Sequence, residues 1–170
     1  MKKLQRHPLS KKDVKRLIEA VRKLPKEVVL ELETSNVVEL VRIDKKTLLY
    51  VADGRPVLLL KDGVYVPLLN FLSESKVNIP KVVVDSGAVK HIVGGADVFR
   101  PGVVRWDAFK VGEIVCVVDE GRGLPLAIGV ALVDHEDLAT MEKGKVVKNV
   151  HHLGDKLWRL ARTLSKKALN

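Results

Sequence analysis

Apolar and polar positions repeat with two different periods along this chain. Val14, Leu17, Ile18, Val21 and Leu24 recur at helical spacing, with Lys11, Lys12, Lys15, Arg16, Arg22 and Lys23 on the other side at 100° per residue. This predicts an amphipathic helix that begins at Ser10, where Ser10 and Asp13 make a capping-box-like pair, and that Pro25 closes. Residues 1–9 are polar and basic and read as extended. Residues 27–66 switch to short apolar runs that read as strands: 28–33, 37–43, 47–51, 57–60 and 64–66. Asp53-Gly54 and Asp62-Gly63 are hairpin signals between the later runs. Pro67 starts a short apolar helical turn over residues 68–72. An antiparallel meander with helices is an α+β arrangement. Residues 73–80 are polar and end in Pro80, which marks the expected domain boundary.

The second half is organised around residues 82–104. Val82, Val83 and Val84 are β-branched and suit a buried strand. Asp85 and Ser86 are helix-capping residues, and Ala88, Val89, Ile92 and Val93 fall on one helical face. Gly94 and Gly95 are expected to end that helix, and Pro101-Gly102 is a second turn signal. Residues 114–118 and 126–133 are apolar runs joined by a loop-like tip. Gly129 inside the second run suggests a bulge or barrel corner. Asp134 and Asp137 are expected to cap a short helix through Leu138 and Met141, before a last strand over residues 146–150. Leu157, Leu160, Ala161 and Leu164 give a terminal helix with Lys156, Arg159, Arg162, Lys166 and Lys167 on its polar sides. The strands suit a small closed or nearly closed barrel.

Charge sharpens the picture more than composition does. The net charge is +9, but residues 1–26 hold ten basic residues against Asp13 and Glu19, while residues 27–170 hold 20 basic and 19 acidic ones. The excess is concentrated on the first helix and its approach, and concentrated positive charge favours phosphate backbones through counterion release. Aromatics make up only 4% of the chain, which argues against a platform of many stacked rings. Cys116 is the sole cysteine, within an apolar run, and reads as a small buried hydrophobe. No apolar run approaches the roughly 18 residues of a membrane span, and the start lacks a signal-peptide core, so a cytoplasmic protein is expected.

Candidate chemistry is sparse. Gly94-Gly95 is not followed by Gly-Lys-Ser/Thr, so it is no P-loop, and neither a G-x-S-x-G nor an H-E-x-x-H signature occurs. His151 and His152 are adjacent and would point to opposite faces of a strand, so they do not form a ready metal pair. No cofactor, no metal and no catalysis are expected. Three features point to nucleic acid instead. The Gly94–Asp97 bend offers bare backbone. The cations Lys90, Arg100, Arg105, Lys143, Lys145 and Lys148 flank it. Phe99 and Trp106 either stack on a base or pack into the core.

The second half resembles the PUA domain, on Asp85-Ser86-Gly87-Ala88, Gly94-Gly95-Ala96-Asp97-Val98, Pro101-Gly102-Val103, Val111-Gly112-Glu113-Ile114-Val115, Leu126-Ala127-Ile128-Gly129-Val130 and Gly144-Lys145-Val146-Val147. Its end, residues 149–158, resembles the tail of the malignant T-cell-amplified sequence proteins, the related domain of ligatin and their archaeal relatives. The resemblance implies a basic N-terminal α+β domain over residues 1–76, a PUA pseudo-barrel with short helices over 80–160, and a basic helix end over 161–170. It implies an RNA groove walled by Lys90, Gly94, Gly95, Ala96, Asp97 and Arg100 on one side and Lys143, Lys145 and Lys148 on the other. It implies non-catalytic, ribosome-associated work in translation initiation, reinitiation or recycling. The partners it implies are a tRNA acceptor end or rRNA, the small ribosomal subunit, and a separate protein with an initiation-factor-like fold. An accessory role in RNA modification or ribosome biogenesis, and a protein-interaction module without RNA, are the alternatives.

Overall fold

The computed structural model describes residues 3–169, and side chains from residue 3 to residue 165. Lys166 and Lys167, expected on the polar sides of the last helix, lie outside the described side chains, as does Lys2. The chain forms two compact units: one runs through Val77 and resumes at Leu160, the other is Asn78–Arg159.

In the first unit β1 (Gln5–Pro8) precedes α1 (Lys11–Ala20), α2 (Lys26–Thr34), the strands β2 (Val38–Asp44), β3 (Thr47–Ala52), β4 (Arg55–Lys61) and β5 (Val64–Pro67), and α3 (Leu69–Ser75). The five strands form one antiparallel meander in the order β1-β2-β3-β4-β5. Arg6 staples the edge strand to its neighbour through a bidentate pair with Glu39 at 2.7 and 2.8 Å. Ser10 caps α1 by accepting from the Asp13 amide at 3.1 Å. The two expected hairpins are present, with Asp53 and Gly54 at φ 47° and 82° and Asp62 and Gly63 at 49° and 80°. Positive φ at both turn residues matches the twist of the strands they join.

Two expectations in this unit are corrected. The predicted helix through residue 24 ends at Ala20, and Pro25 instead stands at the N-cap of α2. The run 28–33 is not a strand but lies within α2. A period of two would place Val28, Leu30 and Leu32 on one face; the structure buries Val28 and Leu32 and leaves Leu30 57% exposed. Residues four apart share a helical face while residues two apart do not, so the apparent alternation of Leu30-Glu31-Leu32-Glu33 was misleading.

The second unit holds β6 (Lys81–Val84), α4 (Ser86–Ile92), β7 (Val98–Phe99), β8 (Val103–Trp106), β9 (Ile114–Asp119), β10 (Pro125–Ala131) and β11 (Lys145–His152). The chain ends in α5 (Lys156–Leu169). The sheet order is β7-β11-β10-β9-β6-β8, with β6 and β9 parallel and the other pairs antiparallel. This nearly closed barrel wraps a core of Val82, Val84, Ile92, Val98, Val103, Phe109, Val115, Val117, Leu126, Leu138 and Val147. The expected bulge is at Gly129, where the β10–β11 register shifts. The expected short helix after residue 134 is a single 3₁₀ turn over His135–Ala139. Asp134 does not cap it, because its carboxylate accepts from the Val111 amide at 2.9 Å.

Candidate nucleic-acid interface

The site begins with the short helix α4. Asp85 caps it by accepting from the Ala88 amide at 3.0 Å. Beyond Ile92 the chain curls back on the helix end: the Gly94 and Ala96 amides both donate to the His91 carbonyl, at 3.2 and 2.9 Å, and the Gly95 amide donates to the Ile92 carbonyl at 3.0 Å. Gly95 sits at φ +99°, a conformation that side chains disfavour; Gly94 does not take the left-handed form. Asn149 of β11 closes the bend from the other side. Its Nδ2 donates to the carbonyls of Ile92 and Ala96 at 3.0 and 2.9 Å, and its backbone amide donates to Asp97 Oδ1 at 2.9 Å.

The backbone expected to be bare at this bend is partly engaged by the protein itself. The amides of Gly94, Gly95 and Ala96 all have partners within the protein, and Asn149 occupies the carbonyls of Ile92 and Ala96. The Gly94–Ala96 amides are spent on the fold, so the donors a ligand would meet beside them are side chains. Nothing in the sequence spacing marks Asn149 as a site residue, because its partners lie more than 50 residues upstream.

Beside the bend lies a cleft of about 260 Å³ lined by Ala88, His91, Ile92, Ala96, Asp97, Val98, Phe99 and Gly102. Phe99 is 49% exposed there. It stands opposite Lys145 in the β7–β11 register, and the Lys145 ammonium lies 5.9 Å from the ring centroid. Lys145 also pairs with Asp97 Oδ2 at 3.1 Å. Burial pushes the Asp97 carboxyl up, but the Asn149 amide and the Lys145 and Lys148 ammonium groups outweigh it and hold the group below its ordinary value. Asp97 is thus a strut that orients Lys145 and ties β11 to the bend. Lys90 on α4, Lys143 before β11 and Lys148 on β11 are exposed, and none of them makes an ion pair with a described residue. The structure brings Gly94, Gly95, Ala96, Asp97, Lys145 and Lys148 together across the α4 exit, β7 and β11.

Arg100 differs from expectation. Its guanidinium donates to the carbonyls of Leu138 and Val103, at 2.7 and 2.9 Å, and lies 5.3 Å from the centroid of Trp106. Both groups are half-buried and serve the barrel, so Arg100 does not stand free on the groove wall. Arg105 is exposed and only loosely paired, 4.0 Å from Glu120.

The histidine pair divides its roles. His151 is fully buried, and its Nδ1 lies 2.8 Å from Asp155 Oδ2. Asp155 also accepts from the amides of His152 and Trp158, at 2.9 and 2.7 Å, so it caps α5. Burial raises the Asp155 carboxyl, but the His151 bond and these two amides overcome it and hold it at about 2. His152 is half-buried with its ring beside Gly95. Among the described residues no cluster of His, Cys, Asp and Glu is arranged to hold a metal ion. Cys116 is buried, and burial pushes its thiol up to about 12, so it is inert at neutral pH.

On the first unit, Lys11, Lys12, Lys15, Arg16, Arg22 and Lys23 are all exposed. Two are locally matched: Arg22 pairs with Glu19 at 2.5 Å and Arg16 lies 3.8 Å from Asp13. The uncompensated charge is carried by the lysines. A separate cleft of about 400 Å³, lined by Lys45, Lys46, Leu48, Leu60, Asp62 and Gly63, has an aliphatic floor and no aromatic group.

Comparison with known proteins bears on both units. Residues 80–153 match the PUA domain and residues 5–75 match a domain of unknown function, DUF1947. An uncharacterised protein of Methanocaldococcus jannaschii is 34% identical over 163 residues, covering 91% of this chain and 95% of that one. Translation machinery-associated protein 20 of Saccharomyces cerevisiae is 30% identical over 131 residues, covering 73% and 72%. Malignant T-cell-amplified sequence 2 of Homo sapiens is 33% identical over 104 residues, covering 59% and 58%. Among solved structures, a PUA domain protein from Aeropyrum pernix K1 superposes with a TM-score of 0.79 at 30% identity, covering 96% of this chain and 94% of that one. With a PUA barrel following its DUF1947 domain, the chain belongs to the family of translation machinery-associated protein 20 and the malignant T-cell-amplified sequence proteins.

Proposed function

We propose that this protein is a non-catalytic, cytoplasmic RNA-binding factor of the translation machinery. Its cleft takes the unpaired end of an RNA, such as a tRNA acceptor end. The lysine face of α1 meets phosphates of the small ribosomal subunit, and a separate initiation-factor-like chain completes the assembly. The observation that carries this reading is the half-exposed Phe99 with the Lys145 ammonium beside its ring, in a unit that also exposes Lys90, Lys143 and Lys148. An exposed ring next to phosphate-seeking charge suits a splayed single-stranded base. The names of relatives that refer to translation machinery supply the setting.

Filter binding of deacylated tRNA across a salt series tests it. Contact with Z phosphates of a single strand gives a log–log slope of about −0.7Z. Co-sedimentation with mature small subunits is expected. Migration with pre-ribosomes instead would favour a biogenesis role, and flat, weak binding would favour a protein-interaction module.

A further inference from the structure

The groups gathered at the cleft are mostly donors. The ammonium groups of Lys145 and Lys148, which act on Asp97, donate, and the Asp97 carboxylate is already engaged by Lys145 and the Asn149 amide. His152 is different. Its Nδ1 lies 3.1 Å from the carbonyl oxygen of Leu153. A carbonyl only accepts, so Nδ1 carries the proton, and in the neutral ring Nε2 is left as a lone-pair acceptor. No described residue bonds Nε2. That nitrogen lies 3.5 Å from where a Cβ on Gly95 would stand, so the ring edge and the side-chain-free Gly95 make one surface beside Ala96, which lines the cleft. His91 also lines the cleft, but no bond fixes its tautomer.

We infer that His152 Nε2 reads a hydrogen-bond donor of the bound RNA, either a base N–H or a ribose 2′-hydroxyl. This rests on the RNA reading of the cleft. Lysines grip any phosphate and do not discriminate. A lone pair repels phosphate oxygens and rewards only a donor, so His152 contributes selectivity where its neighbours contribute grip. The 2′-hydroxyl is the donor that separates RNA from DNA.

The test uses the full chain at pH 8, with anisotropy of 5′-labelled octacytidine and its deoxy counterpart. His152→Ala is expected to weaken octacytidine binding about fivefold to tenfold, the loss of one net hydrogen bond. His152→Gln, which restores an acceptor oxygen, is expected to recover part of it. Loss with the RNA alone assigns the 2′-hydroxyl, and equal loss with both strands assigns a base N–H. On the wild-type protein, the ¹⁵N resonance of His152 Nε2 should move when RNA is added, a signature that a merely structural ring would not give and that does not depend on any variant folding. Binding within twofold of wild type in His152→Ala, with that resonance unmoved, overturns the inference. The double variant Lys145→Glu/Lys148→Glu separates the two levels. If it weakens binding while His152→Ala does not, only the inference falls. If it also binds normally, or if the wild type binds neither strand, the cleft is not the RNA site.

Discussion

Gly129→Ala tests the connection between barrel geometry and the cleft. Gly129 sits where β10 and β11 slip register, opposite Asn149. A Cβ at this position would stand 2.2 Å from the Lys148 carbonyl oxygen, 2.6 Å from Val147 Cγ1 and 3.0 Å from the Lys148 carbonyl carbon. Non-bonded carbons rest about 3.5–4.0 Å apart, so the new methyl overlaps main chain by more than about 1 Å. Turning a side chain does not relieve a clash with backbone; the two strands must part. Overpacking a tight interior costs about 1–3 kcal/mol and occasionally more, and a backbone clash belongs at the upper end, about 3 kcal/mol. The strand that must yield carries Lys148 and Asn149, so RNA affinity should fall together with stability. Guanidinium unfolding of the full chain, followed by circular dichroism, measures the first, and anisotropy with labelled RNA the second. Gly121→Ala is the control: its Cβ would meet only Asp119 Oδ2 at 3.9 Å, and it should stay within about 0.5 kcal/mol. A Gly129→Ala protein destabilised by less than about 1 kcal/mol, with unchanged binding, would refute the reasoning.

Three further perturbations address other parts of the molecule. Asp155 has a folded-state value of about 2, below its ordinary 3.8, so its stabilisation is complete above about pH 4 and drains away as pH falls through about 2. Asp155→Asn should therefore cost about 1–2 kcal/mol at pH 7, with the deficit shrinking toward pH 2 in urea unfolding curves; a deficit independent of pH counts against the pairing with His151. Reversing Lys11, Lys12 and Lys15 to Glu should weaken ribosome binding and flatten its salt dependence, whereas adding Arg16→Glu should change little, because Asp13 already sits 3.8 Å from that guanidinium; an Arg16 effect as large as the lysines' contradicts this division. Asn149→Ala strips the Ile92 and Ala96 carbonyls of their donor, and hydrogen exchange at the amides of residues 94–97 should quicken markedly; unchanged protection would mean the helix end holds the bend unaided.

What was legible in the sequence is what local chemistry decides. Asp53-Gly54 and Asp62-Gly63 specify their hairpins because the backbone needs positive φ there. Ser10 and Asp85 cap their helices within three residues of themselves. The α1 stripe and the Gly129 bulge were readable for the same reason. The failures are non-local or ambiguous in period. The 28–33 run fits a strand until tertiary packing chooses which of its leucines to bury. Arg100 reads as a groove cation, yet beside the nearby Val103 carbonyl and Trp106 indole it is held by a carbonyl 38 residues away. Asn149 reads as an unremarkable strand residue, and its partners lie more than 50 residues upstream. No spacing rule reaches that far.

This division between local and distant partners also sorts the site by role. Asp97, Arg100 and Asn149 bond to the fold through their side chains, although Arg100 Nη2 and the buried Asn149 Oδ1 make no hydrogen bond with a described residue. Lys90, Lys143, Lys148, Phe99 and the Nε2 edge of His152 do not. Groups of the first kind fix geometry, so their removal should lower stability and RNA affinity together. Groups of the second kind owe the fold little, so their removal should lower affinity at constant stability. A basic residue near a glycine bend therefore says little about RNA until its other partners are known. The same guanidinium chemistry that grips a phosphate grips a main-chain carbonyl equally well, and in Arg100 the carbonyl has won.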